Sequence, residues 1–291
     1  MNSFTIKDIE NLTGIKAHTL RIWEQRYNIV CPRRKESKHR QYDNDDLKAI
    51  LQISFLYHQG YKISKIAALH PEEIKRITLD CVQKNSFEVF INQLMEAAID
   101  FDQSRFEKVF HTMVLRVGFE KSIIHVIYPF LENLGILWMT GHVIPAQEHF
   151  TSHLIRKKIL MAIDGLETNY RTTDKKILLF APEGEHHEIP LLFIKYLFKK
   201  SGIPVTYFGV NTSLSKLREY LDQKHVTHLY FHVITFFSDD NLEQLVKDIL
   251  KEYPDKQLLI SGPPSRVLEI QNQKLRILSS LQETMALAME L

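Results

Sequence analysis

Two short stretches of helix-spaced apolar residues, parted by one glycine and followed by a basic loop, occupy Thr5 to Tyr42 and restrict the N-terminal fold more than any other feature. In Thr5-Ile-Lys-Asp8 the threonine can cap a helix start, and the aspartate three residues on favours the first turn. Ile6, Ile9 and Leu12 give that helix a buried side, and Gly14 breaks it. Helical spacing resumes from Ile15 to Tyr27, with Ile15, Leu20 and Trp23 able to face inward. Helix, tight turn and helix form the helix-turn-helix pattern.

Charge gives the pattern a partner. Between Lys16 and Tyr42 there are eight Lys and Arg residues against two Glu, whereas the whole chain carries a formal charge of only +2. Cations gathered on a second helix and the loop behind it suit a phosphate backbone, because each neutralised phosphate releases counterions. A basic cluster by itself is as often a solvated face; the helix-turn-helix frame favours double-stranded DNA.

The string Thr19-Leu-Arg-Ile-Trp-Glu-Gln-Arg-Tyr27, then Pro32-Arg33 and His39-Arg40-Gln41-Tyr42, resembles the winged-helix domain of MerR-family transcription regulators. That resemblance makes Ile15 to Tyr27 the recognition helix and Pro32 to Tyr42 a wing. It implies DNA contacts from His18, Thr19, Arg21 and Arg26 on the helix, and from Arg33, Lys38, His39, Arg40 and Tyr42 on the wing. Leu20 and Trp23 are expected in the core. One small winged helix reads few base pairs, so a homo-oligomer is expected.

The 291 residues are a soft prior for about two domains, with 44% hydrophobic content to fill them. Two cysteines, Cys31 and Cys81, make no disulfide framework. No signal segment opens the chain, and no apolar run approaches the ~20 residues that span a bilayer, so a cytoplasmic location without membrane contact is expected.

Apolar residues recur three and four apart through Ile74 and Ile77, Phe87 to Ala98, Phe106 to Val117 and Ile123 to Leu137, which predicts a helical bundle. The period then changes. Lys176 to Ala181, Val205 to Phe208, Thr227 to Val233 and Gln257 to Ile260 are short apolar runs separated by helical stretches, the mark of a mostly parallel sheet covered on both faces. The expected fold is therefore multidomain α and α/β: a winged helix-turn-helix over 1–72, a helical bundle over 73–170, and a Rossmann-like (flavodoxin-like) domain over 171–291. Ligands of such sheets sit beyond the carboxyl ends of the strands, where the loop Pro182 to Pro190 follows the first strand.

Bundle plus parallel α/β domain is similar to the cobalamin-binding pair of methionine synthase and of CarH/LitR-type light-sensing regulators. Trp138, Glu148 and His149 resemble the residues covering the upper corrin face in that type, and Glu185-His-His187 resembles the Asp/Glu-x-His motif. The resemblance makes His187 the lower axial cobalt ligand, with Glu185 holding its other ring nitrogen. It implies cobalamin, as adenosylcobalamin or methylcobalamin, for a small-molecule effector. Downstream the spacing is kept and the identities change: Pro190, His232-Val-Ile234 and Ser261-Gly262 stand where the family has Gly, Ser-x-Leu and Gly-Gly around the nucleotide tail. His232 is expected to crowd that channel or to offer a new hydrogen bond. Met139 replaces the upper histidine of light-sensing relatives, and a thioether is the weaker cobalt ligand, so light-dependent capture is not expected.

Ordinary placements compete with each of these. A lone Trp138 at a helix end is most often core, Glu148 and His149 suit an exposed helix surface, and His186 and Glu188 fit a solvated loop or a helix cap. Three functions follow: a DNA-binding regulator whose C-terminal half senses a corrinoid; a MerR-type regulator whose cobalamin fold serves dimerisation or another small molecule; and a corrinoid-dependent methyl-transfer or mutase component. The third is disfavoured, because no substrate domain accompanies the cobalamin-like pair and the N-terminus is spent on DNA; no catalytic constellation points to other chemistry.

Overall fold

The computed structural model describes residues 4–30, 32–34, 40–58, 60–81, 87–139, 143–167, 173–235, 239–263, 265 and 268–291. The chain divides into two units, Met1–Leu154 and Ile155–Leu291.

The first unit opens with α1 (Ile6–Thr13), whose start is a capping box: the Thr5 side chain accepts from the Asp8 amide and the Asp8 carboxylate accepts from the Thr5 amide. Gly14 ends it at φ 69°, a left-handed turn that a side chain would strain, and α2 (Ala17–Tyr27) follows. Arg33–Arg34 (β1) pairs antiparallel with Arg40–Gln41 (β2), the two short strands of a wing. A further bridge joins Phe4 and Tyr42 through Phe4 N–H to Tyr42 O (2.8 Å) and Tyr42 N–H to Phe4 O (3.0 Å). Helix α3 (Asn44–His58) completes the head; Trp23 of α2 meets Tyr57 edge-on at 4.8 Å, over a core of Ile9, Leu20, Leu47 and Leu51.

Helices α4 (Ile63–Ile66), α5 (Pro71–Cys81), α6 (Phe87–Ile99), α7 (Gln103–Val117), α8 (Phe119–Ser122), α9 (Tyr128–Met139) and α10 (Pro145–Asp164) continue the chain, with one π-wound turn, Ile123–Ile127, between α8 and α9. Leu94, Phe106, Phe110, Val126 and Phe130 fill the bundle. Polar contacts tie α3 to this bundle: Lys48 Nζ donates to Asp100 Oδ1 (2.7 Å), and Gln52 Nε2 donates to Glu96 Oε1 (3.2 Å). Arg105 pairs with the same buried Glu96, which keeps that carboxylate from being an isolated buried charge.

In the second unit, β3 (Ile177–Pro182), α11 (Glu188–Lys200), β4 (Val205–Thr212), α12 (Leu214–Leu221), β5 (His228–His232), α13 (Asp239–Glu252), β6 (Gln257–Ser261), β7 (Leu275–Leu278) and α14 (Leu281–Glu290) build a five-stranded parallel sheet, ordered β4-β3-β5-β6-β7. Period-two alternation sends Leu178, Phe180, Leu229, Phe231, Leu258 and Ile260 into a core shared with α12 and α13. The other face holds Tyr230, edge-on to Phe198 of α11 at 5.7 Å. The order is flavodoxin-like, so the direction in which strands are added to the parallel sheet reverses between β3 and β5, and that crevice is where such sheets bind ligands. β7 is one strand more than the apolar runs predict.

Candidate functional site

The exposed face of α2 is built by spacing. His18, Arg21, Ile22, Gln25 and Arg26 all lie toward solvent, while Leu20 and Trp23 turn inward and Thr19 is half-buried. Ile22 and Gln25 were not singled out from the sequence, although their distances of four and seven residues from His18 put them on its face. On the wing, Arg40 Nε donates to Glu24 Oε2 (2.6 Å) and the Tyr42 hydroxyl donates to the other Glu24 oxygen. This corrects the expectation for Tyr42. It is 1% exposed, its phenol is pushed above its ordinary pKa by burial and by Glu24, and it belongs to the core that seats the wing. Arg40, with its side chain 22% exposed, braces the same corner. Arg33 lies on β1, and Lys38 and His39 fall outside the described residues.

In the helical bundle, Trp138 closes α9 with 56% of its surface exposed, which removes the core-aromatic reading. Glu148 stands in the first turn of α10 and accepts from Ser152 Oγ (2.6 Å); His149 beside it has a side chain 81% exposed, its Nδ1 3.5 Å from Glu148 Oε2. Buried Gln147 seats that turn, accepting from Ile144 N–H (3.1 Å) and donating to Ile99 O (3.0 Å). The side chain of Met139 is outside the described residues.

The most organised polar cluster lies at the β3/β5 reversal. Glu185 is fully buried in the loop after β3. Its Oε2 accepts from the N–H groups of Ile234 (2.6 Å) and Thr235 (2.9 Å) beyond β5, and its Oε1 accepts from His187 N–H (2.9 Å) and lies 2.6 Å from His187 Nδ1. Burial alone would raise this carboxyl; the His187 ring and the three amides outweigh it and bring the pKa down to about 2. A charged carboxylate at Nδ1 assigns the proton to that nitrogen and makes Nε2 the ring's lone-pair donor. His187 precedes α11 without capping it, and its side chain is 47% exposed. Glu188 is not a cap either: it accepts from Arg156 (3.0 Å) and from the Tyr207 hydroxyl (2.9 Å). Pro190 sits in the first turn of α11, where no intrahelical N–H is required.

Beside this cluster, His232 Nδ1 lies 2.7 Å from Ser261 Oγ, which also accepts from the Tyr230 hydroxyl (2.8 Å). Burial lowers His232 to about pKa 4, so it is a neutral imidazole at pH 7. Gly262 has φ 110°, and a Cβ there would stand 1.8 Å from the Val233 carbonyl oxygen, so only glycine fits. Among the described residues, no group of three or more His, Cys, Asp or Glu is placed to hold a metal ion, and no helix is long and apolar enough to cross a membrane.

A winged helix-turn-helix, a helical bundle and a flavodoxin-order sheet with a carboxylate-held histidine at its reversal together define a DNA-binding regulator of modular build. Comparison with family models matches two segments: residues 4–73 the MerR HTH family regulatory proteins and residues 90–162 the B12 binding domain. The chain thus joins a MerR HTH segment to a B12 binding domain segment in one DNA-binding transcription regulator, and it is homologous to the CarH and CarA repressors. It is 25% identical to the HTH-type transcriptional repressor CarH of Myxococcus xanthus over 71% of each chain, and 22% identical to CarA of the same organism over 90% of this chain and 87% of CarA. Over 70% of its length the chain is similar in fold to the Methanosarcina barkeri monomethylamine corrinoid protein, 99% of which is covered (TM-score 0.57, 14% identity).

Proposed function

We propose that this regulator binds a corrinoid through its C-terminal half and that binding changes its oligomeric state or its affinity for DNA. In this reading residues 1–72 hold DNA, residues 73–170 act as a helical cap, and residues 171–291 carry the lower ligand. The observation that carries it is the clasp at the strand reversal, where buried Glu185 fixes the His187 loop to the end of β5 and fixes the tautomer of His187. That donor set fits a cobalt centre: an imidazole held at Nδ1 by a carboxylate would present Nε2 to the metal, with its basicity raised by that partner. A bound corrinoid would supply a cobalt ion with exchangeable ligands, a means of switching a regulator that His187, held by Glu185, would serve.

The remaining roles fall to groups already placed. His187 gives the lower nitrogen and Glu185 orients it. Trp138 offers an exposed apolar plate, with Glu148 and His149 as polar partners at the start of α10. Arg21 and Arg26, with His18 and Thr19, meet the DNA groove and its phosphates; Arg33, Lys38 and His39 of the wing meet the flanking backbone. A homo-oligomer supplies further half-sites, and a cytoplasmic location follows from the DNA target. We read the chain as a regulator and not as an enzyme, since its relatives CarH and CarA are repressors.

The test is purification of the full chain with adenosylcobalamin or with cobinamide, followed by absorbance scans of wild type and His187→Ala. A retained corrin whose spectrum changes in the variant is expected. If neither corrinoid is retained, the sheet domain serves dimerisation or another small molecule. Identical spectra would remove His187 as the ligand.

A further inference from the structure

Resting on the corrinoid reading above, we infer that the α/β half takes a corrinoid without the bulky lower nucleotide, of the cobinamide class, in preference to a complete cobalamin. The histidine-bearing face of the site and the slot beside it have diverged differently. At the face, Glu185 and His187 keep both the residue types and the geometry a cobalt ligand needs. Beside it, two of the positions where the resemblance expects small residues around a nucleotide tail hold His232 and Ser261, joined by a hydrogen bond, while Gly262 keeps its glycine.

Along β5, Tyr230 and His232 alternate onto the sheet face that packs against α11, away from the core shared with α12 and α13. His232 there is bonded to Ser261 of the neighbouring strand (2.7 Å), and fully buried Tyr230 donates to the same hydroxyl (2.8 Å). Thr284 of α14 stands 3.4 Å from the Tyr230 hydroxyl, which extends the polar chain to a third element. The backbone closes behind these side chains. Val233 N–H donates to Ser261 O (3.0 Å), and the Val233 carbonyl comes so near Gly262 that even a methyl group cannot stand between the ends of β5 and β6.

A nucleotide entering beside His232 would have to push an imidazole off its hydroxyl partner and leave Ser261 and Tyr230 to find others, at the cost of unpaired buried polar groups. A corrinoid whose lower side ends near the ring makes no such demand and still meets His187. His232 is then the residue that sets ligand class: where a small side chain would leave room, an imidazole fills it and offsets its burial by bonding to Ser261.

Equilibrium dialysis of the full chain against aquocobinamide and, separately, hydroxocobalamin, read by absorbance, tests this. Wild type is expected to bind cobinamide at least about ten-fold more tightly, and His232→Ser to close most of that gap by gaining affinity for hydroxocobalamin. The wild-type preference stands as a test even if the variant fails to fold, which circular dichroism will show. Equal or tighter binding of hydroxocobalamin by wild type overturns the inference and leaves the corrinoid reading intact. Binding of neither overturns both, and an unchanged gap in a folded His232→Ser removes His232 as the barrier.

Discussion

Two carboxylates do similar work at opposite ends of the chain, and the residues they hold differ in kind. Glu24 in α2 gathers Arg40 and Tyr42 and so seats the wing on the recognition helix; Glu185 gathers His187 and the end of β5 and so seats the loop at the strand reversal. In the head, the groups free to meet DNA, His18, Arg21 and Arg26, lie outside the Glu24 clasp. In the sheet unit the clasped residue is itself the proposed ligand. A DNA interface needs cations standing in water on a rigid helix, whereas a metal-donating imidazole needs its tautomer and direction fixed by a partner.

Removing each clasp separates the two. Glu185→Ala has the largest expected effect, because it leaves the amides of His187, Ile234 and Thr235 without their acceptor: a loss of about 3 kcal/mol or more in urea unfolding, with faster hydrogen exchange at Ile234 and Thr235. Unfolding unchanged within error would show that water replaces the carboxylate without cost, and that the loop is not clasped.

Acid sharpens the same contrast. Burial holds His228 and His232 in the sheet unit near pKa 4, against about 6.5 in an unfolded chain, with Lys175 also lowering His228. Below 6.5 the unfolded state binds the extra protons, so the stability due to these residues is complete above pH 6.5 and is lost as the pH falls toward 4. A tenfold difference in proton affinity between the folded and unfolded chain is worth about 1.4 kcal/mol. Glu185, held near 2, stays charged through this window and gives up its contribution only in stronger acid. Unfolding midpoints of the full chain are expected to fall between about pH 6.5 and 4.5, with a shallower fall in His232→Gln. A flat profile would mean that neither histidine is buried uncharged.

What the sequence showed and what it hid divide along the same physical line. The Thr5/Asp8 cap, the Gly14 stop and the four expected strands depend on local geometry and on period, and both are written residue by residue. β7 was missed because Leu275-Arg-Ile-Leu278 is short and interrupted by Arg276, as an edge strand can be. The π turn at Ile123–Ile127 leaves apolar spacing almost unchanged and so leaves no sequence signal. Glu185 and His187 were legible because they lie two residues apart. The His232–Ser261–Tyr230 chain joins residues 29 and 31 positions apart, and only pairing of β5 with β6 brings them together.

Tyr42 shows why charge context misleads in the head, and it gives a graded test of the Glu24 corner. Arg21→Ala removes a solvent-facing cation from α2 and is expected to weaken DNA binding and reduce the slope of log affinity against log salt by about one. Arg40→Ala is expected to weaken binding with a smaller change of slope, since its guanidinium is committed to Glu24 and its loss acts by loosening the wing. Tyr42→Phe keeps the ring in the core and deletes only the hydroxyl bonded to Glu24. It should cost about 1 kcal/mol of stability and leave the salt slope unchanged. A Tyr42→Phe protein of full stability that loses affinity and salt dependence together would put the phenol on the DNA, and the Glu24 corner would then be part of the interface it was taken to support.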